Sequence, residues 1–238
     1  METVLVVGST GNIGTAAVKG ALNAGYKVLA IVRNSTSANK LFQNAGKEGI
    51  TTVEADIMSD NGIQSVVEQV TAGKLPAFQH VYSTVGGLYE ETALKNVTAK
   101  QMRDAMNQNF TPNLYAYIAT IPYLLEQNNP SSTWTLCTGA QGDYGFRAVP
   151  AMTAGSLFSM AVSACRELHE TNIRFNEVYL AFRVEIDSSA EKSASMKASD
   201  FAKNYQAILG NTSVRGCRVR VTNHEEVTKL NYAPKLDL

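Results

Sequence analysis

The stretch "VLVVGSTGNIG", Val4–Gly14, decides the fold. A short apolar, β-branched run ends at Gly8. Gly11 and Gly14 follow at three-residue steps, and apolar residues at helical spacing take over across Asn12–Ala24. A strand, a glycine turn and a helix in that order make a phosphate cradle. Glycine allows the tight reversal and lets backbone N–H groups approach a pyrophosphate, while the helix N-terminus sets its partial positive charge against the phosphates. Ser9, Thr10 and Asn12 add hydrogen-bonding side chains, and Ile13 completes the turn. A plain strand-to-helix turn has similar residues. The placement after a strand and before a helix is the context that favours a nucleotide.

Outward from this turn the chain alternates. Lys27–Val32 is a second apolar run and Ser35–Ala45 a polar, helix-like one. Ile50–Glu54 and His80–Ser83 read as strands, and between them Asn61–Thr71 places Ile63, Val66, Val67 and Val70 on one helical face. Thr98–Gln127 is a long helical stretch that Pro112 and Pro122 bend or divide. A strand at Thr133–Thr138, a helix at Ala151–Glu170 and a strand at Ile173–Leu180 continue the series. Near-continuous apolar strands separated by amphipathic helices predict a parallel sheet covered on both faces. The fold class is α/β: a Rossmann-type doubly wound parallel sheet of three layers, in a single domain over residues 1–238. Serine-rich Ser188–Asp200 reads as a mobile surface loop, about 186–198, ahead of a helix around Phe201–Leu209. Gly216–Val221 reads as an edge strand and Asn223–Leu238 as a poorly ordered tail.

Composition narrows the function classes. Among 238 residues, hydrophobics are 45%, charged residues 18% and the formal net charge is zero. That balance argues against nucleic acid and anionic membrane as partners, since both select basic surfaces. No apolar run approaches the roughly 20 residues of a membrane span, and "METVLVVGSTG" opens a strand rather than a signal peptide. Cys137, Cys165 and Cys217 are odd in number and widely spaced, which fits neither a disulfide framework nor a zinc site. They read as buried thiols of a cytoplasmic protein. His80, His169 and His224 match no metal spacing and read as solvated or capping residues, so no metal is expected.

The second strand ends "LAIVRN". Dinucleotide folds that prefer NAD carry an acid there for the ribose 2′-hydroxyl. Arg33 stands here instead, with Asn34 and Ser35 beyond it, and a forked guanidinium suits a 2′-phosphate. The cofactor expected is NADP(H). Asp56, followed by Ile57 in "VEADI", comes after the third strand, where an acid reaches the adenine edge or caps a loop.

These motifs, with three more, resemble the short-chain dehydrogenase/reductase family over nearly the whole chain, with a glycine spacing closer to its atypical or extended branches. "STVGG", Ser83–Gly87, sits where the family has its Asn-Ala-Gly turn, so the resemblance implies that Ser83, Thr84, Val85 and Gly86 border the cofactor. "NFTPNLYAYIATIP" is similar to the family's long helix, with Asn109 and Pro122 at its spacing. "RELHETNIRFNEV" matches through Glu167, Ile173, Arg174 and Asn176. The resemblance also implies a small-molecule substrate. It implies too a homodimer or homotetramer, in which the helix at Ala151–Glu170 packs on its copy, with Leu157, Phe158, Met160 and Val162 forming that surface or simply core.

The departures concern the chemistry. The family uses Asn, Ser, Tyr and Lys: the tyrosine gives a proton to the carbonyl oxygen as hydride arrives, the lysine lowers its pKa and holds the ribose, and the serine polarises the carbonyl. Alignment on Glu167 and Asn176 puts Pro150 at the tyrosine and Ala154 at the lysine; a shift of two gives Met152 and Ser156. No lysine lies between Lys100 and Lys192. The serine position falls on Cys137, Thr138 or Gly139, so Thr138 is the candidate there, and Asn109 persists. The loop "GAQGDYGFRAVP", Gly139–Pro150, offers Asp143, Tyr144 and Arg147 as acids or anion binders. Three functions follow. The first is a reductase of a carbonyl or imine with a non-standard site, an iminium ion needing no proton donor. The second is a non-redox cyclase, isomerase or dehydratase. The third is an inactive NADP(H)-binding sensor.

Overall fold

The first strand, β1 (Thr3–Val7), is buried at all five positions. Val4 and Val6 enter one core, and Leu5 and Val7 another. Period two with apolar residues on both faces is what a strand between two helical layers requires. The computed structural model, which describes residues 1–87 and 89–237, repeats this in β2 (Lys27–Val32), β4 (His80–Ser83), β5 (Thr133–Gly139) and β6 (Arg174–Leu180). With β3 (Ile50–Glu54), β9 (Cys217–Val221) and β10 (Asn231–Pro234) they form an eight-stranded sheet of order β10-β9-β6-β5-β4-β1-β2-β3. β10 alone runs antiparallel, on β9. A two-stranded parallel pair, β7 (Val184–Glu185) and β8 (Met196–Lys197), stands apart.

The helices divide between the faces. α1 (Asn12–Asn23), α2 (Ser35–Ala45) and α9 (Ala198–Gly210) cover the Val4–Val6 side with Phe201, Tyr205 and Ile208. α3 (Gly62–Thr71), α5 (Thr111–Gln127) and α7 (Ala148–Glu167) cover the other. There Trp134 stacks on Phe175 at 5.4 Å and donates its indole N–H to Thr120 at 2.9 Å. Each such fully buried large side chain contributes about 1.5–3 kcal/mol. The chain builds from β1 through β2 to β3, then crosses to β4 and builds the other way. The order reverses between β1 and β4, where a doubly wound sheet opens its crevice.

Several sequence expectations are corrected. The long helix is two: α4 (Ala99–Asn109) ends before Phe110, and Pro112 starts α5, where its missing N–H costs nothing, while Pro122 lies inside α5. The serine-rich segment carries regular structure, α8 (Asp187–Ser193) and β8. Asp187 anchors it by an ion pair to Lys19 at 2.9 Å and by accepting the Ser199 N–H. The expected tail contributes β10, so β9 is not the edge; Leu238 lies outside the described residues. By length and composition α7 reaches what a membrane span needs, with 20 residues and a mean hydropathy of 1.4. Its small side chains pack on β5 and β6 as a core helix.

His80 is neither solvated nor a cap. It is 1% exposed, 3.0 Å from the Thr133 hydroxyl and 3.2 Å from Glu2, with the Tyr26 ring at its edge. Burial lowers its pKa from the usual 6.5, and Glu2 opposes this only in part. For Glu2, burial works against the charged form, but hydrogen bonds from Ser131, Asn129 and His80 outweigh it and leave the carboxyl below its usual 4.5. Both folded pKa values are depressed. The stability they contribute is therefore present above the unfolded values and lost as pH falls, first through the histidine window and then the carboxyl one. The melting temperature is expected to fall by a few degrees between about pH 7 and about pH 5. In His80→Asn the upper part of that fall should disappear, as measured by circular dichroism.

Candidate functional site

At the C-terminal ends of β1 and β4 the backbone closes tightly. Gly8 has φ +83°, and a Cβ there would meet the Thr84 carbonyl oxygen at 2.6 Å; a Cβ at Gly14 would lie 2.0 Å from the Gly8 oxygen. Those two glycines are demanded by the chain itself. Gly11 is not: its φ and ψ, −77° and 173°, suit any residue, and a Cβ would find only the Gly8 oxygen at 3.4 Å. A side chain at Gly11 would fill only the open mouth of the turn, the space a pyrophosphate needs to reach the backbone. Gly11 caps α1 without any side-chain hydrogen bond, so the helix presents its first N–H groups to that mouth.

The turn's side chains separate in role. Ser9 is fully buried and donates to the Ile31 carbonyl at 2.6 Å, so it braces the turn from behind instead of facing a phosphate. Asn12 accepts from the Ile186 N–H at 3.3 Å and, with Lys19–Asp187, ties the segment after β7 to α1. Ile13 packs against the core, leaving Thr10 as the half-buried hydroxyl of the mouth. At the end of β2, Arg33 is exposed, with no hydrogen bond or ion pair among the described residues. Asn34 is committed to capping α2 by accepting the Ser37 N–H at 3.0 Å. Asp56 accepts the Met58 N–H at 3.0 Å in the turn after β3, and Ile57 packs below it.

After β4 one residue holds the loop. Asn113 accepts from the Ser83 hydroxyl at 2.7 Å and the Val85 N–H at 3.2 Å, and its amide donates to the Val85 and Asn109 carbonyls, each at 2.8 Å. Ser83 is thus a buried brace, and the Val85–Gly86 backbone is what borders the crevice beside Thr84. The sequence reading passed over Asn113. The signal was a second asparagine four residues beyond Asn109, within a stretch that reads as one long helix, whose interior disfavours the residue. Asn109 donates to the Thr153 hydroxyl at 3.3 Å, while its buried side-chain oxygen has no partner among the described residues and would lie 3.8 Å from a Cβ placed at Gly86.

The candidate catalytic groups are largely engaged elsewhere. Thr138 is 4% exposed and donates its one hydroxyl proton to Glu177 at 2.8 Å, so it has none for a substrate carbonyl. Glu177, fully buried in β6, also accepts from Arg218 at 2.9 and 3.2 Å and from Lys235. An acid inside an apolar strand was the signal for this cluster, since a buried charge demands partners. Arg218 lies 4.3 Å from the Phe158 ring centroid and 4.8 Å from that of Tyr179, and pairs at 3.4 Å with Asp143. Asp143 is therefore the outer end of an ion network. Burial, then the Asp143 hydrogen bond, pushes the Tyr179 hydroxyl up to about 12. The expected substrate loop folds as α6 (Gln141–Tyr144) and the start of α7. Tyr144 is half-exposed against Phe146, and Arg147 at the α7 N-cap donates to Glu91 at 3.0 Å. Burial pushes the Cys137 thiol up to about 12, which leaves it unreactive. From Val149 to Ala154, α7 carries no titratable side chain.

This frame has known counterparts. Residues 2–197 match the short chain dehydrogenase family. The chain is 50% identical to the short-chain dehydrogenase/reductase iacG of Pestalotiopsis fici, over 98% of this chain and 96% of that one. Among solved structures it superposes on ElxO with NADP bound with a TM-score of 0.76 at 14% identity, over 90% and 93% of the two chains. A short-chain type dehydrogenase/reductase from Mycobacterium ulcerans gives a TM-score of 0.76 at 20% identity, over 92% and 88%.

The three glycines predict a split. Gly14→Ala should destabilise the fold by several kcal/mol or prevent folding, because a Cβ has no room there. Gly11→Ala should melt like the parent yet lose at least tenfold in dinucleotide affinity, measured by calorimetric titration.

Proposed function

The chain belongs to the short-chain dehydrogenase/reductase family, and from that premise we propose that it binds NADP(H) and reduces a small-molecule carbonyl or imine with a rearranged catalytic set. The observation that carries this is the uncapped turn at Gly11 with the unpaired Arg33 at the end of the neighbouring strand. The turn backbone and Thr10 would hold the pyrophosphate, and Arg33 the 2′-phosphate through its paired N–H donors. Asp56 and Ile57 flank the adenine side, and the Val85–Gly86 backbone, fixed by Asn113, borders the nicotinamide side. When bound, NADPH supplies a hydride. The NADP-bound state of ElxO, a protein of the same fold, supports the cofactor class.

The chain's own groups shape the rest. With Pro150 and Ala154, or Met152 and Ser156, at the family's tyrosine and lysine positions, α7 offers neither the tyrosine proton nor a ribose cation. Thr138, its proton held by Glu177, turns at most a lone pair toward the crevice. An acceptor there suits a cationic carbon such as an iminium, which takes hydride without an acid. The same two features support a second reading, a non-redox step on this scaffold, which would turn over substrate without consuming NADPH. A further reading, an inactive sensor, would bind NADPH and turn over nothing.

The apolar face of α4, α5 and α7 forms a groove of about 690 Å³ lined by Phe110, Leu114, Ile118 and Met160, with Ile118 59% exposed. It is the face by which we propose a homodimer, in a cytoplasmic protein whose three thiols are free. Ile118→Glu should shift the sedimenting species to the monomer without lowering the melting temperature.

For the cofactor, NADPH at about 100 Kd should raise the melting temperature by about 5–10 °C. NADH should do so far less, and Arg33→Ala should erase the difference. Equal protection by both nucleotides would remove the NADP assignment, and protection by neither would remove the cofactor.

A further inference from the structure

Arg147 and Glu91 join two loops that the chain brings from opposite sides of the crevice. Arg147 caps α7 a few residues before Pro150 and Met152, the two candidates for the family's tyrosine position, and its guanidinium holds Glu91 in the loop after β4. Glu90 is held in turn by the Gln101 amide at 3.1 Å, and the root of the same loop by Asn113. Tyr89 immediately precedes these two anchored acids. Two residues of chain span at most about 7 Å, so the Tyr89 backbone stays within that reach of Glu91, the residue that pairs with Arg147 at the start of α7.

The surroundings agree. Tyr89 is 64% exposed and its hydroxyl has no hydrogen-bond partner among the described residues. Cys137 at the end of β5, Arg147 at the start of α7 and Arg183 after β6 all lie close enough for their charges to act on it. The ring therefore lies among the end of β5, the start of α7 and the segment after β6. The crowding chain, and then Cys137, raise the hydroxyl's pKa, while the two guanidiniums oppose them. The phenol therefore keeps its proton at neutral pH. Both arginines carry counter-charges, Glu91 and Glu185, so their pull on a tyrosinate is moderated.

The competing groups fall away: Asp143 is paired with Arg218, the Thr138 proton belongs to Glu177, and Tyr179 is 5% exposed. Resting on the reductase reading above, we infer that Tyr89, supplied by the loop after β4, is the proton donor that replaces the tyrosine missing from α7. In the step, the carbonyl carbon gains the hydride given by reduced nicotinamide. The carbonyl π pair moves to oxygen, and oxygen takes the proton of the Tyr89 hydroxyl to give the alcohol. The tyrosinate left behind recovers its proton from water, which its exposure allows.

Two measurements test this. The first needs no turnover. Tetranitromethane nitration, mapped by peptide mass spectrometry, should modify Tyr89 in the free protein. Saturating NADP+ should slow it there, but not at Tyr232, which is 38% exposed on the sheet's far strand. Unchanged nitration of Tyr89 with NADP+ bound would place the ring outside the crevice and overturn the inference. The second follows NADPH oxidation with phenanthrenequinone, benzaldehyde and cyclohexanone. Tyr89→Phe should lower kcat roughly 100- to 10,000-fold while NADPH affinity stays at the parent value. Full activity in Tyr89→Phe together with loss in Tyr144→Phe would move the role to Tyr144 and leave the reductase reading standing. A parent protein that binds NADPH but oxidises none of it with any carbonyl would end the reductase reading, and this assignment with it.

Discussion

The crevice is built on a close approach between backbone atoms. The first turn of α1 sits so near the end of β1 that the Gly8 oxygen occupies the space of a Gly14 side chain, and the Thr84 oxygen that of a Gly8 side chain. The end of β1, the first turn of α1 and the distant loop after β4 thus meet without side chains between them. That contact fixes the direction in which α1 leaves the sheet and the gap between the β1 and β4 loops. The position of every residue around the crevice follows from it. Rigidity of this kind suits a polyanion site, because the N–H groups are arranged before any ligand arrives and little ordering remains to be done.

A second constraint operates one strand away. Glu177 is a carboxylate without solvent, and such a charge is stable only when its partners are complete. It recruits Arg218, Lys235 and Thr138. This stabilises the interior but removes Thr138 from duty as a hydrogen-bond donor to substrate. Through Arg218 it also neutralises Asp143. On the proposed reading the departures therefore extend beyond α7: β6 is built around an ion cluster, and the proton donor we infer comes from a different loop.

Much of this was legible in the sequence and some was not, for physical reasons. Local patterns carried the sheet. Val4–Val7 and Lys27–Val32 are apolar on both faces, Ile173–Leu180 has apolar residues on each face around Arg174, Asn176 and Glu177, and the glycine steps marked the turn before any contact was known. Position along a strand also carried Arg33 and Asp56, since strand ends converge in a parallel sheet. Pairings over long separations were not legible. Lys235 meets Glu177 across 58 residues, and His80 meets Glu2 across 78. Nothing local in "NYAPKLDL" announces a strand with a buried cation, so it read as a tail. The roles of Ser9 and Ser83 were misjudged for a related reason. A hydroxyl beside a glycine turn can face the ligand or the scaffold, and only the partner, Ile31 or Asn113, decides which.

The late position of Lys235 has a consequence for how the chain comes to be made. Synthesis is vectorial, and β5, β6 and the helix between them leave the ribosome well before residue 235 does. During that interval Glu177 has the Thr138 hydroxyl and, once residue 218 has emerged, Arg218, so the nascent sheet holds an acid whose partners are incomplete. Closure of that side must wait for the final strand, and until then the β6 edge is open to water and to chaperones.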